Sequence, residues 1–407
     1  MRTPPLTRLL VISALVIAAC SGGGDDVENT TTTTAAATTL ATTTTAEPTT
    51  TDGAPETVTL GFDMPEGFAG PLNELYSWLA DDRNPEPAIP EDMLSHISGV
   101  DRSGIGTEGS VISAELANGD RVAIAHVEQD VLALVDDGTG WRVVGAAMEG
   151  ATPWFGSETR MVLILGSDAR PGENQQRYRA DSVHVVTVVP GDGAGAIVGF
   201  PRDSWTEGPN GNDKLTHHMA GAGPEVMLEV MTNLTDLPIE GYFVTGFAGF
   251  DGLITELGGL TIDLPSVMRS GNNWANFPEG EQTLTPNRTL QLARIRKGLP
   301  GGDFTRSLNQ GRIMKAAMDA IQVAGIDMLP MWTKVLLDNV WTDLSTEDVL
   351  TLAASIYFFE SDHLTNIVVP GTVGTAGSAS VVFIDEEAEN IYRDLEDGLL
   401  ETTSDEE

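Results

Sequence analysis

Short apolar segments typical of buried strands alternate with longer segments of helical spacing over residues 156–396. Strands are predicted in close succession at Val162–Leu165, Val183–Val189 and Ala196–Gly199. A chain with this alternation folds most readily into a sheet that helices cover. We therefore expect an α/β (α+β mixed) domain with a mixed central sheet flanked by helices. The other predicted elements are helices at Glu225–Leu234, Gly249–Leu257, Thr289–Arg294, Asn309–Val323, Pro330–Leu337, Leu344–Phe358 and Glu387–Leu395, and strands at Leu260–Leu264, Asn366–Val369 and Ala379–Ile384.

Residues 57–155 have a different pattern, with one helical segment, Pro71–Ala80, ahead of four stretches of alternating residues. Asn118-Gly119-Asp120 and Asp136-Asp137-Gly138 are hairpin turn signals between those stretches. The pattern predicts a small α+β domain with a structural or docking role, because it contains no catalytic constellation. Its strands are predicted at Ser110–Leu116, Val122–His126, Val131–Val135 and Trp141–Ala147.

The N-terminus has the pattern of an export signal. Arg2 and Arg8 supply positive charge ahead of the apolar run Leu9–Ala18, which is too short to span a bilayer as a stable helix. Small residues then precede Cys20, as in bacterial lipoprotein signals, so residues 1–19 are predicted to be removed and Cys20 lipidated. A non-lipidated signal peptide and an uncleaved anchor are the alternatives. Cys20 is the only cysteine in the sequence, so no disulfide can form within the chain.

Residues 20–56 are predicted to be a disordered linker, because a tract of almost pure Thr and Ala buries too little apolar surface to offset its ordering entropy. Residues 397–407 form an acidic tail. The net charge of -38 argues against nucleic-acid binding, which needs a basic face.

The basic residues concentrate in the middle of this acidic chain. Fourteen of the 22 Lys and Arg residues lie between Arg160 and Lys315, and most of them are Arg. The guanidinium group suits planar, bidentate contacts to phosphate better than an ammonium does. The distribution therefore favours a phosphate-bearing ligand for this part of the chain.

Three short motifs follow or precede the predicted strands: GSDAR (166–170), RADS (179–182) and PRDS (201–204). Sites in folds of sheets and helices commonly gather at strand ends. Asp168 and Asp181 could together hold a Mg²⁺, which accepts one or two carboxylates plus phosphate oxygens and waters. The alternative is that these carboxylates cap turns or pair with Arg residues.

A fourth motif contains RIRK (294–297) and GGDFTR (301–306). Alternation places Arg294 and Arg296 on one side of an extended segment, and Arg306 and Gln310 share one helix face at i,i+4. These side chains could present donors to a pyrophosphate. A salt-bridged helix face is the alternative reading.

The ordered set GSDAR, RADS, PRDS, KLTH, GGLTIDLP, RIRK and GGDFTR, followed by Gln310, resembles the LytR-CpsA-Psr family over roughly residues 160–396. The resemblance implies an enzyme that transfers a phosphate-linked glycan from a polyprenyl pyrophosphate carrier to a peptidoglycan hydroxyl, at the outer face of the bacterial membrane. It assigns Mg²⁺ to Asp168 and Asp181, with Arg202 as a further catalytic residue. Asp303 would orient arginines or serve the metal site. The pyrophosphate would be bound by Arg179, Arg202, Arg294, Arg296, Arg306 and Gln310.

The sequence departs from the family pattern at Asn309, where a second Arg is common, and in using a lipid rather than a transmembrane helix as anchor. His217 and His218 suggest a catalytic base or a plain surface role.

Two other functions remain open: hydrolysis of the carrier head group, and non-catalytic lipid binding. Candidates for an apolar pocket, all equally consistent with ordinary core, are Met219, Met227, Val230, Met231, Phe247, Phe250 and Leu253.

Overall fold

The computed structural model describes residues 54–156, 159–358 and 363–400, and its regular elements lie close to most of the predicted ones. Residues 1–53, including Cys20, and the last seven residues lie outside the described chain. The helices are α1 (Ala69–Ala80), α2 (Glu91–Ile97), α3 (Leu215–Met219), α4 (Pro224–Thr235), α5 (Phe247–Glu256), α6 (Pro286–Arg294), α7 (Asp303–Ala324), α8 (Leu329–Asn339), α9 (Thr346–Tyr357) and α10 (Ala388–Asp394). The strands are β1 (Gly109–Glu115), β2 (Arg121–Val127), β3 (Asp130–Asp136), β4 (Arg142–Ala147), β5 (Arg160–Ser167), β6 (Ala180–Val189), β7 (Ala194–Gly199), β8 (Trp205–Thr206), β9 (Asp213–Lys214), β10 (Gly241–Thr245), β11 (Leu260–Leu264), β12 (Met268–Arg269), β13 (Asn276–Phe277), β14 (Gly280–Leu284), β15 (Trp341–Thr342), β16 (Leu364–Val368), β17 (Gly371–Ala376) and β18 (Ala379–Ile384).

A six-stranded mixed sheet lies at the centre of residues 159–400, in the order β15-β10-β5-β6-β7-β16. The pairs β10–β5 and β7–β16 are parallel, whereas β5–β6, β6–β7 and β10–β15 are antiparallel. Val-rich β6 is buried on both faces because α3, α4 and α10 cover one side and α7, α8 and α9 the other. The expected mixed sheet flanked by helices is therefore confirmed.

The four strands β1 to β4 form a separate antiparallel sheet in sequential order. One face packs on α1 and α2 through residues such as Leu72, Met93 and Leu134. The other face packs on α8 and α9, where Ile124 shares a core with Leu350. These two helices therefore lie between the N-terminal sheet and the central sheet region.

The elements that the sequence did not reveal include α2, α3, β10, β14 and β17, and α7 begins at Asp303 rather than at the predicted Asn309. A five-residue apolar run such as β10 carries too little periodicity to separate strand from helix. The first two turns of α7 contain Asp303, Arg306 and Gln310, whose polarity hides the helical apolar pattern. Polar residues on an inward face indicate a site rather than a core.

Among the described residues, no single helix has the length and apolar composition to cross a bilayer; the helix pair Asp303–Ala324 and Ile326–Asn339 passes that test jointly but bends by 105°.

Candidate active site

A cavity of about 680 Å³ lies between the central sheet and helices α5 to α9. Helix α7 runs along it from Arg306 to Ile321, a span of roughly 22 Å at the usual helical rise. The cavity therefore has two ends. The mouth is defined by Asp181, Arg202, Arg294, Arg296, Arg306 and Gln310; the floor is defined by Ala317, Ile321, Trp332, Leu336, Leu352 and Ile356.

Asp181 and Arg202 form an ion pair at the mouth. Asp181 is near the start of β6, and Arg202 follows β7, the strand that pairs with β6, so the sheet brings the two side chains together. The Arg202 Nη1 donates to Asp181 Oδ1 at 2.6 Å. Burial opposes ionisation of Arg202, but the charge and hydrogen bond of Asp181 outweigh it and raise the pKa of Arg202.

Arg306 is almost buried, and its guanidinium lies 2.8 Å from the Asp303 carboxylate one helical turn earlier. Burial lowers the pKa of Arg306; Asp303 opposes that shift, and the nearby charges of Arg202 and Arg296 reinforce it. Within the described chain, the buried Nε atoms of Arg202 and Arg306 have no hydrogen-bond acceptor, and both buried oxygens of Asp303, although in ionic contact with Arg306, have no hydrogen-bond donor. The mouth thus holds donors and positive charge that an anion would satisfy.

Arg294 and Arg296 reach the mouth from the end of α6. Arg294 is the last helical residue, as the predicted helix Thr289–Arg294 has it, and stacks over the Phe247 ring at 5.0 Å. The alternation that placed Arg294 in an extended segment with Arg296 is therefore wrong. The chain becomes extended only at Ile295, and this change of direction still brings both guanidiniums to the cavity. Arg296 lies 3.4 Å from Asp203, a carboxylate that sequence reasoning did not single out.

Asp203 is held by more than one cation. Its second oxygen accepts from Lys214 at 3.0 Å. Burial would raise the pKa of Asp203, but Lys214, Arg202 and Arg296 together lower it. Asp203 therefore orients Arg296 at the mouth, a role that the PRDS motif could have suggested.

Gln310 shares the inward face of α7 with Arg306, as predicted, and donates to the Ala293 carbonyl at 3.0 Å. This bond ties α7 to α6 beside the arginines.

Asp168 and Arg179 lie just outside the cavity lining. The Arg179 backbone N–H donates to Asp168 Oδ1 at 3.0 Å, and the Asp168 N–H donates to the Arg179 carbonyl at 3.0 Å. Because Gly166 pairs with Ser182, Asp168 and Asp181 sit at the same end of β5 and β6. The Arg179 side chain is exposed, and its predicted contact to pyrophosphate stays a prediction.

His184 lies fully buried behind the mouth, and its place within the apolar strand β6 gives no sequence signal of a site. Its Nε2 lies 3.0 Å from the Ser307 carbonyl, which can only accept, so this nitrogen carries the proton. Nδ1 then accepts from Ser182 Oγ at 3.1 Å, and Ser182 lines the cavity. Burial lowers the pKa of His184 to about 4, which keeps the ring neutral.

Of the remaining predicted candidates, some line the cavity and the others do not. His217 contacts Asp213 at 2.9 Å and His218 contacts Thr206, and neither is among the residues that line the cavity. Of the apolar candidates, Phe247, Phe250 and Leu253 line the cavity, whereas Met219, Met227, Val230 and Met231 pack in the core on the opposite face of the sheet.

Proteins of similar sequence include teichoic acid transferases from two Bacillus species. The chain is 30% identical over 191 residues to the polyisoprenyl-teichoic acid–peptidoglycan teichoic acid transferase TagU of Bacillus licheniformis, which covers 46% of this chain and 61% of that protein. It is 27% identical over 242 residues to the TagU of Bacillus subtilis, covering 58% and 77% respectively. The chain thus spans only about three fifths of the Bacillus licheniformis relative.

Solved structures share the fold. The crystal structure of B. subtilis TagV aligns with a TM-score of 0.50 and 24% identity, over 59% of this chain and 98% of that one. The structure of TagT bound to LI-WTA aligns with a TM-score of 0.50 and 21% identity, over 60% and 92%. The LytR_cpsA_psr family model matches residues 152–396, more than half of the 407-residue sequence and the whole of the cavity lining. On this match, the chain belongs to the LytR_cpsA_psr family.

Proposed function

We propose that this protein transfers a phosphate-linked glycopolymer from a polyprenyl pyrophosphate carrier to a peptidoglycan hydroxyl and releases polyprenyl phosphate. The observation that carries the proposal is the continuity of the cavity, in which a cationic mouth opens directly onto an apolar floor. The carrier has the same two parts, a pyrophosphate and a hydrocarbon chain. The names of the TagU relatives describe transfer of this kind.

The floor suits the hydrocarbon chain. It is lined by aliphatic and aromatic side chains, and each buried methylene group of a ligand contributes about 0.8 kcal/mol. The mouth suits the pyrophosphate, because the unpartnered Nε atoms of Arg202 and Arg306 point to a missing acceptor.

The reaction forms one bond to phosphorus and breaks another. The acceptor hydroxyl oxygen bonds to the phosphorus that carries the glycan and loses its proton to water, and the bond from this phosphorus to the bridging oxygen breaks, so that polyprenyl phosphate leaves. Such transfer depends mainly on positioning and on stabilising charge at the phosphate oxygens. Arg202, Arg296 and Arg306 would hold those oxygens, while Asp303 and Asp203 keep the guanidiniums oriented.

The proposed cofactor is Mg²⁺, for which Asp168 and Asp181 supply suitable donors. Each carboxylate has one oxygen engaged within the described chain, Oδ1, and its Oδ2 accepts no protein hydrogen bond there. Mg²⁺ commonly takes one or two carboxylates and completes its coordination with substrate phosphate oxygens and water. Bound Mg²⁺ would neutralise charge on the phosphate oxygens.

The proposed location is the outer face of the bacterial membrane, with the chain anchored through lipidated Cys20. An anchor of this kind holds an enzyme at the leaflet where its lipid carrier lies. Loss of membrane association in Cys20→Ala, measured by cell fractionation, is the expected result; unchanged association would contradict this anchor.

The test of function is a reconstituted transfer assay with a lipid-linked glycan, peptidoglycan and Mg²⁺, comparing wild type with Arg202→Ala. Arg393→Ala is the matched control, because Arg393 is an exposed arginine outside the cavity lining. We expect glycan phosphate on peptidoglycan with wild type and the control, and at least a hundredfold less with Arg202→Ala, since a charge-assisted contact to phosphate is lost. Free glycan phosphate as the only product would identify a hydrolase instead, and carrier binding without turnover would identify a lipid-binding protein.

A further inference from the structure

Trp274 is a large apolar side chain that the fold leaves 45% exposed at the opening of the cavity. It lies in the loop between β12 and β13, flanked by buried Ala275 on one side and followed by buried Phe277. Both of these neighbours anchor the loop in the core formed by β11, β14 and α6. The anchored loop thereby fixes the position of this exposed ring at the opening of the cavity.

The loop is held in one shape by its own hydrogen bonds. Ser270 N–H donates to the Ala275 carbonyl at 3.0 Å, and Ser270 Oγ accepts from Ala275 N–H at 3.0 Å. Asn273 adopts a left-handed backbone with φ of 55°, which closes the turn. Gly271 N–H donates to the Lys297 carbonyl at 2.6 Å and ties the loop to the RIRK segment. Trp274 is therefore presented to the opening by a preorganised loop.

The chemistry around Trp274 is polar. Asn272, Lys297 and Arg294 line the same opening, and all three are exposed. A pyrophosphate held at the mouth has its hydrocarbon substituent in the floor, so its other substituent must leave past these residues. In the proposed substrate that substituent is a sugar, which has apolar C–H faces and a rim of hydroxyl groups. An aromatic ring beside amide and ammonium donors is complementary to both features.

We propose that Trp274 is the stacking platform of a sugar subsite, at which the sugar attached to the pyrophosphate packs against the indole while Asn272 and Lys297 contact its hydroxyl groups. This inference rests on the proposed function and adds a determinant for the glycan itself. The subsite binds the sugar ring and takes no part in the bond changes at phosphorus.

The experiment measures binding of two probes to the full-length chain in detergent: geranylgeranyl pyrophosphate, and the same lipid carrying N-acetylglucosamine on its pyrophosphate. Trp274→Ala is expected to bind the sugar-bearing probe about tenfold more weakly, with unchanged affinity for the sugar-free probe. Trp274→Phe should retain most of the affinity. Trp341→Ala is the matched control, because Trp341 is 53% exposed but is not among the cavity-lining residues.

Equal affinities of Trp274→Ala and wild type for the sugar-bearing probe would overturn the subsite, and so would an equal loss for both probes. Weaker binding of Trp274→Ala to phospholipid vesicles, with both probe affinities unchanged, would assign Trp274 to membrane contact instead. Failure of wild type to bind even the sugar-free probe would refute the proposed function and the subsite together. Loss of the sugar effect alone leaves the proposed function standing.

Discussion

The mouth of the cavity consists of charged and polar side chains, whereas the floor consists of apolar ones. The mouth gathers buried or half-buried charges, with Arg306 held between Asp303 and the repelling guanidiniums of Arg202 and Arg296. The floor is formed by apolar side chains that face open volume. Repulsion between guanidinium groups destabilises the mouth, and unfilled volume beside apolar side chains destabilises the floor. A single amphiphilic ligand would therefore stabilise both ends, with its anionic group at the mouth and its apolar part at the floor.

The sharpest test of the mouth is Arg306→Ala. This variant leaves the Asp303 carboxylate buried without its nearest partner, so we expect the free energy of unfolding to fall by about 3–5 kcal/mol. Chemical denaturation measures it, and Asp303→Asn in the same chain should recover part of the loss. Lys315→Ala removes the half-exposed pair with Asp319 on the same helix and should cost less than about 1 kcal/mol. Equal losses of unfolding free energy in the two variants would contradict a buried ion pair between Arg306 and Asp303 at the mouth.

The floor can be tested by filling it. Ala317→Phe should displace about one isoprene unit, which lowers the affinity for a long-chain polyprenyl pyrophosphate by about a hundredfold. Affinity for geranyl pyrophosphate, whose chain stays near the mouth, should not change. Val323→Phe is the control, because Val323 is 89% exposed on the same helix. A similar loss for short and long chains would place the hydrocarbon outside the floor.

The buried His184, behind the mouth, should make the free energy of unfolding depend on pH, an effect that the uncharged floor cannot produce. Its folded pKa of about 4 is below the unfolded value of about 6.5, so the unfolded chain binds more protons between these values. Its contribution to stability is therefore present at neutral pH and decreases as the pH falls, by about 2 kcal/mol between pH 7 and pH 5. His184→Gln should lack this part of the slope in denaturation curves. Identical slopes would show that His184 is already protonated or that its burial is relieved.

The smallest effect is expected from Leu336→Ala in the floor. Leu336 already faces open volume, so its truncation should lower the free energy of unfolding by only about 1 kcal/mol. Leu350→Ala, at a fully buried position where α9 meets the N-terminal sheet, should lose about 3 kcal/mol. If the order were reversed, the floor would be a packed core in solution.

Local patterns were enough to predict most strands and helices, because β6 and α4 carry clear periodicity. They also indicated the mouth, since the arginines and acids of the GSDAR, RADS and PRDS motifs follow or precede strands of one sheet. The deeper parts of the site needed the tertiary fold. His184 reads as part of an apolar strand, and Trp274 as part of a polar loop. Only the approach of α7 to β6, and of one loop to another, gives these residues their neighbours.

Helices α8 and α9 form a wall that two regions share, with Leu336 and Leu352 turned to the cavity and Leu350 and Ala354 turned to the N-terminal sheet. A fragment that began at residue 156 would keep every family motif yet present that outer row of apolar side chains to water. Such a fragment should be prone to aggregate. The N-terminal region therefore covers apolar surface of the part of the chain that the family model matches.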